Sequence, residues 1–347
     1  MGRVTDAQEF DPAPLAAWLT RNVPGYAGTL RVTRFAGGQS NPTFRLSTPG
    51  GDYVLRRKPA GAVLPSAHAV DREFRVQRAL AGSGVPVPRV RALCTDPTVI
   101  GSMFYVMDYV DGRIFWDQSL PGLDRTERAA IYDAMGATIA ALHRLDAAAL
   151  GLADFGRPGN YLARQVARWT AQYRASETEP LAAMDRLIEW LPARLPPRET
   201  PALVHGDYRL DNLVFHRTEP RVVAVLDWEL STLGDALADF AYHCMSWRIN
   251  PASFRGLAGF DLAALGIPTE QAYVAAYCRR TGQAFPVADW DVYIVFGMFR
   301  IAAILQGILK RALVGSAASA QALEEGRRAR LVAEQAWEMA RALGTLH

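Results

Sequence analysis

The stretch 203–229, LVHGDYRLDNLVFHRTEPRVVAVLDWE, decides the fold. Its apolar runs Leu213-Val214-Phe215 and Val222-Val223-Ala224-Val225-Leu226 flank polar turn residues that include Pro220. Short β-branched runs bounded by turn residues read as a hairpin. His205-Gly206-Asp207 and Asn212 precede the first run, and Asp227 closes the second. A hairpin folds back on itself, so its two ends are expected to meet, bringing Asp207, Asn212 and Asp227 together as oxygen donors. A few hard oxygen ligands of this kind suit Mg²⁺ when phosphates complete its shell.

Upstream of that stretch the chain alternates strands with short loops. Residues 12–20 read as a helix opened by Pro12 and Pro14. Residues 30–35 and 43–47 read as strands around Ala36-Gly37-Gly38-Gln39-Ser40-Asn41-Pro42. Such a loop can bring backbone N–H groups up to an anion, or it can be an ordinary hairpin turn. Tyr53-Val54-Leu55-Arg56-Arg57-Lys58-Pro59 is a strand ended by proline. Alternation puts Val54, Arg56 and Lys58 on one face, a cation beside a small apolar side chain, which suits a phosphate and an adenine ring. A solvated edge strand with basic gatekeepers carries the same pattern. In the helix predicted over 70–80, Glu73, Val76 and Leu80 share a stripe, so Glu73 points inward and needs a cation, for which Arg56 is the candidate. Its other reading is a first-turn charge favoured by the helix dipole.

Strands are predicted at 90–94 and 103–107. Asp108-Tyr109-Val110-Asp111-Gly112 then breaks the pattern, and the remainder is mostly helical. The fold class is therefore α+β, with a β-rich first lobe over 1–107 and a helical second lobe over 108–347. In the second lobe Asp235 reads as a helix cap and Asp239 as an acceptor of backbone N–H groups. Arg300 lies in the most apolar segment, 292–309. A buried guanidinium there wants either an internal carboxylate or a place in the substrate site.

Composition excludes several function classes. The 347 residues are 50% hydrophobic and 21% charged, and 38 basic against 35 acidic residues leave a formal charge of +3. So small an excess predicts no nucleic-acid partner. Segment 292–309 is interrupted by Arg300 and Gln306 and reads as a buried helix, so no membrane partner is expected. The polar start MGRVTDAQEFDPAP does not read as a secretory signal. Cys94, Cys244 and Cys278 are widely spaced, which predicts free thiols and a cytoplasmic setting. No second histidine falls at ligand spacing from His205, so no zinc site is expected.

Lined up in this order, the motifs resemble the aminoglycoside phosphotransferase family, which shares the bilobal protein-kinase-like fold. HGDYRLDN stands where kinases carry H-R-D-L-K-x-x-N, VLDWE where they carry D-F-G, and YVLRRK where they carry V-A-I-K. More narrowly, FAGGQSNPTF, YVLRRKP, HGDYRLDNLVFH and VLDWELSTLGDALADFAY resemble the branch that includes the kinase-like domain of acyl-CoA dehydrogenase family members 10 and 11. The resemblance implies an ATP- and Mg²⁺-dependent phosphotransferase acting on a hydroxyl group of a small molecule. Asp207 would orient the acceptor and take its proton, and Arg209 would touch the moving phosphate. Asn212 and Asp227 would hold Mg²⁺. Arg56 would bind the α/β-phosphates and be held by Glu73, while the backbone of Gly37, Gly38, Gln39, Ser40 and Asn41 would cover them. Val54 would face the adenine, which Met107, Asp108 and Tyr109 would read through backbone groups. His205 and Asp239 would brace the catalytic loop from behind.

Two departures bear on that transfer. The strand cation is arginine where the family carries lysine, and the loop lacks G-x-G-x-x-G. They leave a second reading, a catalytically silent nucleotide-binding protein of the same fold. A metal-dependent phosphoester hydrolase ranks third, since a two-metal site needs more histidines and carboxylates than this stretch offers. For the acceptor, the second lobe shows no acidic run to receive a polycationic aminoglycoside. Arg248, Arg255, Arg279, Arg280 and Arg300 among apolar and aromatic residues fit an anionic or apolar acceptor better, such as a hydroxyacyl-CoA.

Overall fold

The computed structural model describes residues 4–5, 9–35, 41–59, 69–315 and 321–344. The chain divides into two compact units.

The first unit is built on six antiparallel strands: β1 (Val4–Thr5), β2 (Arg31–Phe35), β3 (Thr43–Thr48), β4 (Gly51–Arg57), β5 (Val90–Cys94) and β6 (Phe104–Asp108), in the order β1-β2-β3-β4-β6-β5. Alternation along β4 and β6 assigns their side chains to two cores. Tyr53 and Leu55, with Phe104 and Val106, pack under helix α1 (Pro12–Asn22) through Leu15, Trp18 and Leu19. Val54, Tyr105 and Met107 face the other way and meet Val70, at the start of helix α2 (Val70–Leu80). Val54 is thus a core residue of the face on which Arg56 also lies. Asp11 caps α1, accepting from the Ala13 N–H at 2.9 Å.

The predicted hairpin forms. Strands β8 (Leu213–Phe215) and β9 (Val222–Val225) pair with each other. The hairpin is fastened to the first unit by Arg113. The Arg113 N–H donates to the Phe215 carbonyl and the Phe215 N–H to that of Arg113, each at 2.8 Å. The Arg113 guanidinium reaches the carbonyls of His216 and Glu219 at 3.0 and 3.2 Å. Gly112 allows this approach, because a Cβ there would lie 2.2 Å from the Phe215 oxygen. The division accordingly falls elsewhere than at residue 107. The first unit runs to Ile114 and takes in Leu213–Glu219 and Val223–Ser231. A boundary read from the switch of strands to helices misses an insertion that pairs with the far end of the unit.

The second unit is helical, with α3 (Arg125–His143), α4 (Tyr161–Ser176), α5 (Ala182–Trp190), α6 (Ala236–Cys244), α7 (Leu262–Leu265), α8 (Glu270–Thr281), α9 (Trp290–Leu313) and α10 (Ala322–Ala342). Strands β7 (Pro201–Val204) and β10 (Thr232–Asp235) form an antiparallel pair, Leu203 opposite Leu233. Helix α9, 24 residues long, is the axis against which α4, α6 and α10 pack. It is long and apolar enough to cross a membrane, yet 89% of its apolar window is buried inside the fold, as expected of a core helix. Asp235 caps α6, accepting from the Ala238 N–H at 2.9 Å. The three cysteines are free and buried.

Candidate active site

The catalytic loop belongs to the second unit. Gly206, at φ +83°, turns the chain sharply after β7, a conformation that suits a residue without Cβ. The loop is pinned by Asp239 on α6. Its Oδ2 accepts the His205 N–H and its Oδ1 the Gly206 N–H, both at 2.8 Å. His143 on α3 lies 3.1 Å from Asp239 Oδ2 through Nε2 and 2.7 Å from the Tyr277 hydroxyl through Nδ1. Burial pushes the Asp239 carboxyl up, but His143 and the backbone donors outweigh it and hold it below the usual carboxylate range. The His205 ring is buried and accepts the Asp207 N–H at 3.1 Å. His205 and Asp239 therefore stand behind the loop.

Asp207 is held at both oxygens. The Tyr242 hydroxyl donates to Oδ1 at 2.9 Å, and Asn212 Nδ2 donates to Oδ2 at 3.1 Å. The same Asn212 nitrogen donates to the Asp207 carbonyl at 2.9 Å. With its amide nitrogen so engaged, Asn212 keeps its Oδ1 for another partner. Arg209 Nε lies 3.4 Å from Asp207 Oδ1, and its Nη2 donates to Asp211 Oδ2 at 3.1 Å. Asp211 also pairs with Arg255 Nη1. Burial pushes the Asp211 carboxyl up, but the two guanidiniums prevail and keep it below its ordinary value.

Arg300 meets neither of the partners expected for it. It is 3% exposed, and its Nη2 donates to the Gly206 carbonyl. Its guanidinium lies 4.6 Å from the Tyr242 ring centre and 5.1 Å from that of Trp169. Two π faces and a carbonyl take the place of a carboxylate. Arg300 is a positioning residue for the loop. Burying a cation without an ion pair is costly. Arg300→Met is therefore expected to leave the melting temperature unchanged or raise it. It should lower turnover about tenfold, the equivalent of one lost hydrogen bond of about 1.4 kcal/mol. Paired thermal and kinetic measurements check both signs.

A second buried base, His243 on α6, touches the Tyr273 hydroxyl at 2.8 Å and stacks edge-on to Tyr208. Burial lowers its pKa from 6.5 to about 4, with Asp239 opposing weakly. The unfolded chain binds this proton below pH 6.5 and the folded chain only near pH 4. Stability is therefore full above pH 6.5 and is lost as the pH falls toward 4. The loss is about 3 kcal/mol over that window. Unfolding free energies at pH 7 and 4.5 should fall by that order, and His243→Gln should flatten the slope.

The first unit holds the other predicted residues. Arg56 Nε lies 3.0 Å from Glu73 Oε2, and its Nη2 lies 2.9 Å from Asp227 Oδ1. Glu73 is fully buried, as its place on the apolar stripe of α2 predicts. Tyr105 donates to its Oε2 at 3.0 Å and Asn41 Nδ2 to its Oε1 at 2.7 Å. Burial pushes the Glu73 carboxyl up, Arg56 pulls it down and Asp227 pushes it up again, for a net rise. The Arg56 guanidinium is charged throughout, its pKa raised despite burial by Glu73 and Asp227. Asp227 sits at φ 64°, ψ 62°, a left-handed conformation that a non-glycine residue rarely adopts and that marks functional turns. Among the described residues its Oδ2 accepts no hydrogen bond, which leaves it an oxygen of the hard kind that a cation such as Mg²⁺ accepts. Among the described residues no group of three or more acidic, histidine or cysteine side chains could hold a metal.

Two expectations change. The Asp108 N–H donates to the Arg89 carbonyl at 2.9 Å and the Tyr109 N–H to that of Asp52 at 3.2 Å. Neither donor is free to read a base, because β6 is paired to its very end. The Asp108 carboxylate is also gripped by Arg91, at 2.5 and 2.9 Å. Met107 is 7% exposed within the sheet. Asn41 joins the Glu73 cluster through its side chain, whereas Gly37, Gly38, Gln39 and Ser40 lie outside the described residues. Tyr242, His143 and Asp211 are partners that the sequence reading missed. Tyr242 stands three residues after Asp239, so helical spacing put both on one face toward the loop. A cavity of about 760 Å³ in the second unit, between Trp190, Arg248, Glu270 and Trp290, includes Arg248 but none of the residues predicted for catalysis, nucleotide or metal.

An antiparallel sheet carrying a buried Arg–Glu pair, followed by a helical unit carrying an HGD loop, defines a protein-kinase-like fold. The chain belongs to the phosphotransferase enzyme family, which residues 31–292 match. It is 50% identical over 316 residues to acyl-CoA dehydrogenase family member 10 of Mus musculus, covering 90% of this chain and 29% of that protein. It is 44% identical over 324 residues to acyl-CoA dehydrogenase family member 11 of Rattus norvegicus, covering 91% of this chain and 41% of that protein. The chain thus spans less than half the length of either relative. Among solved structures, a protein of Ralstonia eutropha JMP134, provisionally described as an aminoglycoside phosphotransferase, shares 56% identity at a TM-score of 0.85. That match covers 96% of this chain and 99% of the other. Family and fold together place the chain among phosphotransferase-family proteins of protein-kinase-like fold.

Proposed function

We propose that the protein transfers the γ-phosphoryl group of Mg²⁺-bound ATP to a hydroxyl group of a small molecule, and that the acceptor is a hydroxyacyl-CoA rather than an aminoglycoside. The observation that carries the reading is the Asp207 carboxylate, fixed by Tyr242 on one oxygen and Asn212 on the other. A carboxylate so oriented can accept a hydrogen bond from an acceptor hydroxyl and take its proton as the oxygen–phosphorus bond forms. The phosphoryl group then resides on the acceptor oxygen and ADP departs. Such a transfer depends on positioning and charge neutralisation more than on a strong base. Asn212 Oδ1 and Asp227 Oδ2 are the ligands proposed for Mg²⁺, which would supply charge neutralisation on the phosphates. Arg56 is the proposed partner of the α/β-phosphates, and Arg209 that of the moving group.

The acceptor reading rests on the absence of an acidic run for a polycation and on the acyl-CoA chemistry named in two relatives. The test is a coupled assay of ATP consumption with hydroxyacyl-CoA thioesters, free CoA and kanamycin, with product identified by mass. The reading expects a phosphorylated thioester and no phosphorylated kanamycin. The reverse pattern would end it. One contact favours the silent alternative, Arg56 lying on Asp227, a proposed metal ligand. Nucleotide-dependent thermal stabilisation without any phosphorylated product would select that alternative.

A further inference from the structure

Five arginines of the second unit made an anionic acceptor attractive, and the structure sorts them. Arg248 is neutralised by Glu270 and Asp291. Arg280 pairs with Asp133. Arg300 is buried against Gly206. Arg279 sits in the last turn of α8 and lines neither the cavity beside Trp190 nor the cleft beside Arg209. Arg255 alone shares a cleft with that loop, beside Arg209 and Tyr242, the residue that holds Asp207.

Arg255 is anchored without being used up. Asp211, itself 8% exposed, takes only Nη1, and Asp211 Oδ1 is a buried oxygen with no hydrogen-bond partner. The Arg255 guanidinium carbon lies 5.2 Å from the Trp116 ring centre and 5.6 Å from that of Phe254. Among the described residues its Nε and Nη2 donate to no group, and the side chain is 25% exposed. Trp116 is 60% exposed, the second most solvent-facing large apolar side chain among the described residues. An indole left in solvent and stacked on a guanidinium is a wall waiting for a ligand. The charges do not amount to a diffuse positive field, because Asp207 and Asp211 balance Arg209 and Arg255. What the cleft offers is local and directional. A pre-set fork with spare donors loses little entropy on binding and matches the planar or tetrahedral oxygens of an anion.

We propose that Arg255, with Trp116 as its flat wall, is the specificity-determining anchor for an anionic group of the acceptor, a carboxylate or a phosphate, while the acceptor's hydroxyl addresses Asp207. The proposal rests on the phosphotransferase reading, and its test separates the two. The full chain with Mg²⁺-ATP is given straight-chain alcohols that bear, at the far end, a carboxylate, a phosphate or an uncharged amide. One anionic series should exceed the amide in kcat/KM by about tenfold or more, and the better of the two names the group. Arg255→Met should collapse that ratio through the acceptor KM while the KM for ATP stays in place. Arg255→Lys should keep part of the preference, and Trp116→Ala should weaken both series. A wild-type enzyme indifferent to the end group, or a preference that survives Arg255→Met, overturns the proposal. If no alcohol is phosphorylated, the phosphotransferase reading fails, and calorimetric titration of the same compounds decides the anchor. Anion binding lost in Arg255→Met upholds it, and no anion binding to the wild type ends it.

Discussion

Asp207→Ala is expected to lower the rate of phosphoryl transfer by about 10²- to 10⁴-fold, the usual worth of a positioned general base, with the KM for ATP little changed. The second half of that expectation comes from Asn212. Its Nδ2 donates to the Asp207 backbone carbonyl as well as to the carboxylate, so removing the side chain leaves one of the two bonds that orient the amide. Asp207→Asn is expected to disturb its neighbours less. Its amide oxygen can accept from Asn212 Nδ2 while its new nitrogen donates to the Tyr242 hydroxyl oxygen, so both braces stay in place. Asp207→Asn should therefore share the loss of turnover and hold the KM for ATP at least as close to the wild-type value as Asp207→Ala does. The pair of variants separates the base from the brace. Undiminished transfer in Asp207→Ala would remove the base assignment altogether. A KM for ATP higher in Asp207→Asn than in Asp207→Ala would show that the new amide breaks its bond with Asn212.

What the sequence disclosed follows from the range of the interactions. The hairpin 213–225, the inward Glu73 and the Asp235 cap are set by neighbours a few residues away, so periodicity and turn chemistry reveal them. The Asp239 contacts were legible for a related reason, since a carboxylate in the first turn of a buried helix has few other uses. The partners that escaped are distant in the chain. Tyr242 lies 35 residues from Asp207, Arg255 44 from Asp211, and Arg300 94 from Gly206. Nothing local predicts that α9 delivers Arg300 under the catalytic loop, nor that two aromatic rings will stand in for an anion. The adenine-reading expectation for residues 107–109 is narrowed by another long-range effect: the Asp108 and Tyr109 N–H groups are already engaged, because pairing continues through Asp108 and on to Tyr109.

Arg56→Met is expected to destabilise the fold by about 3–5 kcal/mol, the scale for stranding a buried charge. Glu73 is fully buried, and without Arg56 only Tyr105 and Asn41 among the described residues still donate to its carboxylate, while Asp227 stands nearby with the same sign. Urea titration of Arg56→Met, Glu73→Gln and the double variant measures the coupling. The double variant should recover most of the loss, because a neutral amide leaves no charge behind and its oxygen still accepts from one of the two donors, Tyr105 or Asn41. Arg56→Lys is the sharper case. An ammonium is a compact point charge and can sit on Glu73, but it lacks the two-ended fork that meets Glu73 through Nε and Asp227 through Nη2. Lysine should therefore rescue stability more fully than it restores the hold on Asp227, whose left-handed backbone needs outside support. Turnover should then fall in Arg56→Lys by more than its stability does. If lysine restores both equally, the link between Arg56 and Asp227 carries no weight in turnover. If Arg56→Met costs nothing, Glu73 is protonated in the folded chain and the buried pair is not an ion pair at all.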